Sequence, residues 1–283
     1  MERFYKGDYA ERLLDSKLIT PVFKEKYTLK VVKCGEYIQL YYYDNSRYRK
    51  TKERFDLDDL RKKRVGQPTY HTIEDRNIIR SKLQCQRIAK ANAKEWKSFI
   101  TLTYADNMQD IKKGKKDLSN FLDKIKKVKK DFKYIAIPEF QKRGAVHFHL
   151  LTNLSLQDND IIVQQKDNNN YYDVKYWCKG FTSVEFLEGD IKKIVGYISK
   201  YMTEDCDDRL FMIRRYTTSQ NLAKPQIDFL NIDNFRYTKD KRFLNKLLKD
   251  KELIYENEYS DKFDNNVTFL EFLSVNIIYI IRS

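Results

Sequence analysis

The chain has 283 residues, enough for one large domain or one domain with appendages, and 55 Lys and Arg against 41 Asp and Glu give it a formal charge of +14. That surplus favours a polyanionic partner, nucleic acid first, although membranes and acidic proteins also attract basic chains. Several classes are disfavoured: no run approaches the roughly 18 apolar residues of a membrane span, no G-x-x-x-x-G-K-[ST] marks an ATP-driven motor, and Cys34, Cys85, Cys178 and Cys206 lie too far apart for a Cys-rich zinc site and fit a reducing cytosol.

The opening MERFYKGDYAERLLD is charged throughout and reads as no secretory leader. KYTLKVVKCGEYIQLYYYD (26–44) predicts two strands joined at Cys34 and Gly35. The charged RYRKTKERFDLDDLRKKR after it is a linker or a solvated helix. Thr72, with Asp75 three residues on, resembles a capping box, opening a helix that runs to about Lys97. SFITLTY (98–104) is β-branched and aromatic and predicts a strand. Leu118, Phe121, Leu122, Ile125 and Val128 then share one stripe at helical spacing. Lys124, Lys126, Lys127, Lys129 and Lys130 cover the rest of that helix, as a face turned either to solvent or to DNA.

KYIAIPEF and AVHFHLLTN follow as strands with QKRG between them, and KYWCKGFTSVEFLE as a strand pair or one bent strand. DIKKIVGYISKYMTED predicts a helix with Asp190 as its N-cap. After Pro225 the pattern weakens, and the apolar FLEFLSVNIIYIIRS, broken by Glu271, reads as a buried element. Interleaved helices and strands with hairpin connections predict an α+β fold with antiparallel pairing.

The chain has only three histidines, and two of them stand in RGAVHFHLL. Strand alternation puts His147 and His149 on one face and Val146, Phe148 and Leu150 on the other, a core face. Two readings stand: an ordinary half-buried pair, or two ligands converging on one metal ion. Glu139 is the third candidate ligand, and its place depends on the loop. A three-residue KRG loop with Gly144 left-handed pairs Gln141 with Ala145 and sets Glu139 opposite His147. A four-residue loop sets Glu139 opposite Val146 instead, and Pro138 withholds a ladder donor. Two imidazoles, a carboxylate and open positions suit Mg²⁺ or Mn²⁺ acting on phosphate.

In the helix at 190–202, Ile191, Ile194, Val195, Ile198 and Met202 form the apolar stripe, and Tyr197 and Tyr201 fall together on its flank, one turn apart. Lys200 lies one step further round, beside Tyr197. The tyrosines are core-boundary residues or nucleophiles, and Lys200 is a solvated lysine or a partner for phenolate or phosphate. As chemistry, the set suggests attack of a tyrosine oxygen on a DNA phosphate beside a metal, because a phenol with pKa near 10 is a poor nucleophile at neutral pH. Either tyrosine can act first, and the placing of Lys200 favours Tyr197.

HFH resembles the His-hydrophobe-His signature of the HUH endonucleases. SFITLTY resembles the first motif of rolling-circle replication initiators and YISKY their third, in the order those initiators use; RRYTTSQNLAKP resembles the tail of such domains. The chain looks most similar to Rep proteins of small phages and plasmids with two tyrosines on the catalytic helix. The resemblance covers about residues 75–225. It implies a central antiparallel sheet carrying an HUH metal site of His147, His149 and Glu139, a packed helix carrying Tyr197, Tyr201 and Lys200, and Thr101 and Thr103 beside the site in a structural role. It implies a metal-dependent nickase that cuts and rejoins single-stranded DNA at a replication origin through a 5′-phosphotyrosine, in the cytoplasm of a bacterial host, with a host helicase and DNA polymerase as partners. Relaxases usually place the tyrosine before the His pair, and related two-tyrosine transposases often carry a Cys-rich zinc region that is missing here. A non-catalytic origin-binding protein on the same scaffold is the alternative of another class. Regions 1–74, β-rich, and 226–283 have no assigned role.

Overall fold

The structure, a computed structural model, describes residues 18–55, 70–166, 169–187, 191–202, 213–231, 248–260 and 266–274. In chain order the elements are β1 (Leu18–Cys34), β2 (Tyr37–Phe55), α1 (Tyr70–Ala91), a 3-10 turn (Ala93–Glu95), β3 (Ser98–Thr103), α2 (Ile111–Val128), β4 (Tyr134–Phe140), β5 (Val146–Thr152), β6 (Ile161–Lys166), β7 (Asn169–Val174), β8 (Thr182–Phe186), α3 (Ile191–Tyr201), β9 (Thr217–Thr218), β10 (Gln226–Leu230), β11 (Lys251–Ser260) and β12 (Asn266–Ser274). The fold is mixed α+β with antiparallel pairing in its sheets. Among the described residues, no helix is long and apolar enough to cross a membrane.

The chain divides into two compact units. One draws on both ends of the sequence, with the five-stranded order β10-β1-β2-β12-β11. Its core is Leu29, Val31, Ile38 and Leu40. Glu271, which interrupts the C-terminal apolar run, is buried opposite Gln39 and accepts a 2.7 Å hydrogen bond from its amide. That bond is how a carboxylate is tolerated inside a sheet face. The Cys34–Gly35 hairpin forms, with Gly35 at φ 61. The charged stretch after it differs from the expectation: β2 runs on to Phe55, so RYRKTKERF is strand. The sequence carries no apolar alternation there to announce it. Residues 275–283 lie outside the described residues.

The other unit spans Tyr70–Pro225 together with Cys34–Glu36. Its five-stranded sheet has the order β8-β3-β5-β4-β9 and is covered on both faces. Leu118, Phe121, Leu122 and Ile125 of α2 pack on Ile100, Leu102, Phe148 and Leu150. Each such side chain contributes about 1.5–3 kcal/mol by burial. Val128, placed on the same stripe by spacing, is instead 59% exposed in the last turn, beyond the sheet's reach. On the second face, Cys85 and Ala89 of α1, Ile194 and Ile198 of α3, and Met202 just after it pack on Phe99, Ile135 and Leu151. Helices on both sides explain why all seven residues of β5 are buried.

Asp110 caps α2, accepting hydrogen bonds from the backbone of Lys112 and Lys113. α1 starts at Tyr70 and stops at Ala91, short of Lys97. The Asn92 amide there donates to the Ile88 and Ala223 carbonyls, and its oxygen accepts from Ala223. The side chains of Thr72 and Asp75, and Asp190 altogether, lie outside the described residues. KYWCKGFTSVEFLE is one short strand, β8, preceded by turns. The hairpin of β6 and β7 has no counterpart in the sequence reading.

Candidate active site

The β4–β5 hairpin sets the register of the site. Gly144 has φ 91, its N–H donates to the Gln141 carbonyl, and the Gln141 N–H donates to the Ala145 carbonyl at 2.9 Å. This is the KRG loop, and it places Glu139 opposite His147. Because ladder hydrogen bonds alternate along a strand, Pro138 turns its nitrogen away from β5. On that side β9 pairs only with Ile135 and Ala136, so the missing donor costs nothing. On β3, Thr103 stands opposite His147 and Thr101 opposite His149. Glu139, His147, His149, Thr101 and Thr103 therefore share one face.

His149 and Glu139 meet directly, Nε2 to Oε2 at 2.6 Å, and Thr101 Oγ1 lies 3.3 Å from His149 Nδ1. Both histidines are buried, at 6% and 5% exposure, while the Glu139 side chain is 40% exposed. The pKa of His147 is pushed down to about 4, by burial first and then by His149 and Arg143 against the opposing pull of Glu139. His147 is thus a neutral imidazole at physiological pH. Its Nε2 is buried and has no hydrogen-bond partner among the described residues. An unsatisfied buried nitrogen costs about 1–3 kcal/mol, and such groups in native proteins call for an explanation.

Two neutral-capable imidazoles and a carboxylate are the donor types that a divalent cation takes. Among the described residues, however, no three His, Cys, Asp or Glu side chains stand already gathered as a metal-binding group. Glu139 is hydrogen-bonded to His149, and the His147 and His149 ring centroids are 6.3 Å apart.

α3 brings both tyrosines onto this face. The Tyr201 ring lies on His149 with centroids 3.6 Å apart and planes 16° apart. The Tyr197 ring lies on Phe99 at 3.9 Å, and the two tyrosine rings are 6.5 Å apart and nearly parallel at 5°. Both are half-buried at the margin of the second core. Lys200 is exposed, and its Nζ lies 5.1 Å over the Tyr201 ring, whereas helical spacing alone sets it beside Tyr197. Tyr197 Oη donates to the carboxylate of Glu185 on β8. Burial first, and then this hydrogen bond, push the Tyr197 phenol well above its ordinary value of 10.

Phe99 and Glu185 are the site residues that sequence reasoning missed. They are directly opposite each other on β3 and β8. Phe99 lies inside the SFITLTY motif, so alternation from Thr101 and Thr103 was a usable signal. Glu185 had none, because its approach to Tyr197 depends on the β3–β8 register.

Residues 97–206 match a family model for replication-associated proteins, the one described by its ORF2 member. No curated protein and no solved structure matches the chain. The matched stretch runs from the start of β3 past the end of α3 and takes in Glu139, His147, His149, Glu185, Tyr197, Lys200 and Tyr201. Over these residues the chain is similar to replication-associated proteins, which supports a role in the initiation of DNA replication.

Proposed function

We propose that the chain initiates rolling-circle replication by cutting and rejoining single-stranded origin DNA through a 5′-phosphotyrosine, as a two-tyrosine HUH nickase. The observation that carries this reading is the Tyr201 ring lying against His149, on the sheet face shared with His147 and Glu139. In the cut, a tyrosine oxygen bonds to the scissile phosphorus while the P–O3′ bond breaks. The phenol loses its proton and the departing 3′ oxygen gains one, so neither water nor nucleotide is consumed. Attack by a 3′ hydroxyl on the phosphotyrosine reverses these steps and rejoins the strand.

His147, His149 and Glu139 would hold Mg²⁺ or Mn²⁺, which when bound supplies Lewis-acid polarisation of the phosphate and neutralises its charge. His147 offers a neutral, unpartnered Nε2 for this role. Thr101 orients His149, as residues behind ligating histidines do. Lys200 adds a cation beside Tyr201. Strand separation falls to supercoiling or a host helicase and extension to a DNA polymerase, in the cytoplasm of a bacterial host.

A second reading, a non-catalytic origin-binding protein, draws on the Glu139–His149 hydrogen bond as a purely structural pair. Incubation with single-stranded oligonucleotides and Mn²⁺ separates the two. A denaturant-resistant protein–DNA adduct, absent in EDTA, supports the nickase; binding without an adduct supports the second reading.

A further inference from the structure

We infer that Glu185 is a positioning residue that holds Tyr197 off the histidine face and leaves the first cut to Tyr201. The inference rests on the strand-transfer reading above and deepens it by dividing the work between the tyrosines. It reverses the order that helical spacing of Lys200 favours.

The two tyrosines are neighbours on α3 but have different surroundings. Tyr201 touches His149, ring on ring at 3.6 Å, and carries the Lys200 ammonium over its face. Tyr197 packs on Phe99, whose own ring is 5.9 Å from that of His149, and it donates its hydroxyl hydrogen bond to Glu185. A phenol spends its single proton in one hydrogen bond, so Tyr197 is committed to β8 while Glu185 holds it. The Glu185 carboxylate also puts a negative charge beside the Tyr197 oxygen, which repels an incoming phosphodiester, whereas Lys200 attracts one to Tyr201. The raised phenol pKa of Tyr197 points the same way. β8 is an edge strand, paired within its sheet only with β3. A small shift of α3 against β8 breaks the Tyr197–Glu185 bond and frees Tyr197 for a second cut while the first DNA end stays on Tyr201.

The test maps the adduct. Full-length protein is mixed with a pool of single-stranded oligonucleotides and Mn²⁺ for less than one turnover, and mass spectrometry of digested adducts locates the phosphotyrosine. In the wild type, Tyr201 carries most of the first-cut adduct. In Glu185→Ala, the Tyr197 share rises about tenfold, the factor expected for loss of a hydrogen bond to a charged group. Glu185→Gln, which keeps an acceptor oxygen, stays close to the wild-type distribution. Glu185→Ala added to Tyr201→Phe raises first-cut activity about tenfold over Tyr201→Phe alone. Glu185 is exposed, so its replacement leaves the core intact. First-cut adduct mainly on Tyr197 in the wild type, or a Tyr197 share unchanged in Glu185→Ala, overturns the positioning role and leaves the strand-transfer reading standing. Absence of any tyrosine adduct from both proteins overturns the two together.

Discussion

At the scale of single residues, the site turns on a contrast between two histidines of one strand. His149 is partnered on both nitrogens, by Glu139 and Thr101, while His147 Nε2 is buried with no partner and the ring is held neutral. A residue kept only for stability would be better replaced by an apolar one. His147→Ala and His149→Ala are therefore each expected to lower oligonucleotide cutting by about a hundredfold or more, the scale of losing one preorganised charge-stabilising group. Binding in a gel-shift assay persists through the basic surface. Cutting within a fewfold of wild type in both variants would assign the pair to packing. This pair was legible from sequence, because scarcity of histidine and two-residue alternation need no register. Glu139 required a loop length, and KRG with a left-handed Gly144 supplied it. Glu185 and Phe99 required the pairing of β8 with β3, strands far apart in the chain (Ser98–Thr103 and Thr182–Phe186), which no local pattern encodes.

At the scale of elements, one glycine holds the turn that leads into β8. A Cβ at Gly180 would lie 2.3 Å from both the Ala105 nitrogen and the Thr103 carbonyl oxygen, backbone atoms that cannot give way. Thr103 is the residue opposite His147, and its carbonyl also accepts from the Trp177 indole at 2.9 Å. Gly180→Ala is thus expected to destabilise the fold by about 1–3 kcal/mol or more through overpacking, read as a lower melting temperature, and to reduce cutting through displacement of β3. An unchanged melting temperature would show that the turn relaxes freely. Phe121, 1% exposed between α2 and the sheet, should cost about 3–5 kcal/mol on truncation to Ala. The elements that sequence found, β3, α2, β4, β5 and α3, all have a buried stripe or face. Those it missed do not: β11 is exposed along nearly its whole length, and the polar and tyrosine-rich β6–β7 hairpin breaks off any apolar alternation.

At the scale of the molecule, a formal charge of +14 and the lysines of α2 predict binding to single-stranded DNA that weakens steeply with salt, because each phosphate neutralised releases counterions. A plot of log affinity against log salt concentration should have a clearly negative slope, and a flat plot between low and physiological salt would contradict this. Sequence also left unread that strands from both ends of the chain, β1 and β2 with β10, β11 and β12, share one sheet, since pairing over such separations is set by tertiary packing. The central claim is that a tyrosine of α3 becomes covalently joined to DNA, and its most direct test is the adduct formed with single-stranded DNA and Mn²⁺ on a denaturing gel. The account predicts an adduct from wild type, less from Tyr201→Phe, and none from the Tyr197→Phe/Tyr201→Phe double variant; an adduct of wild-type yield from the double variant would contradict it.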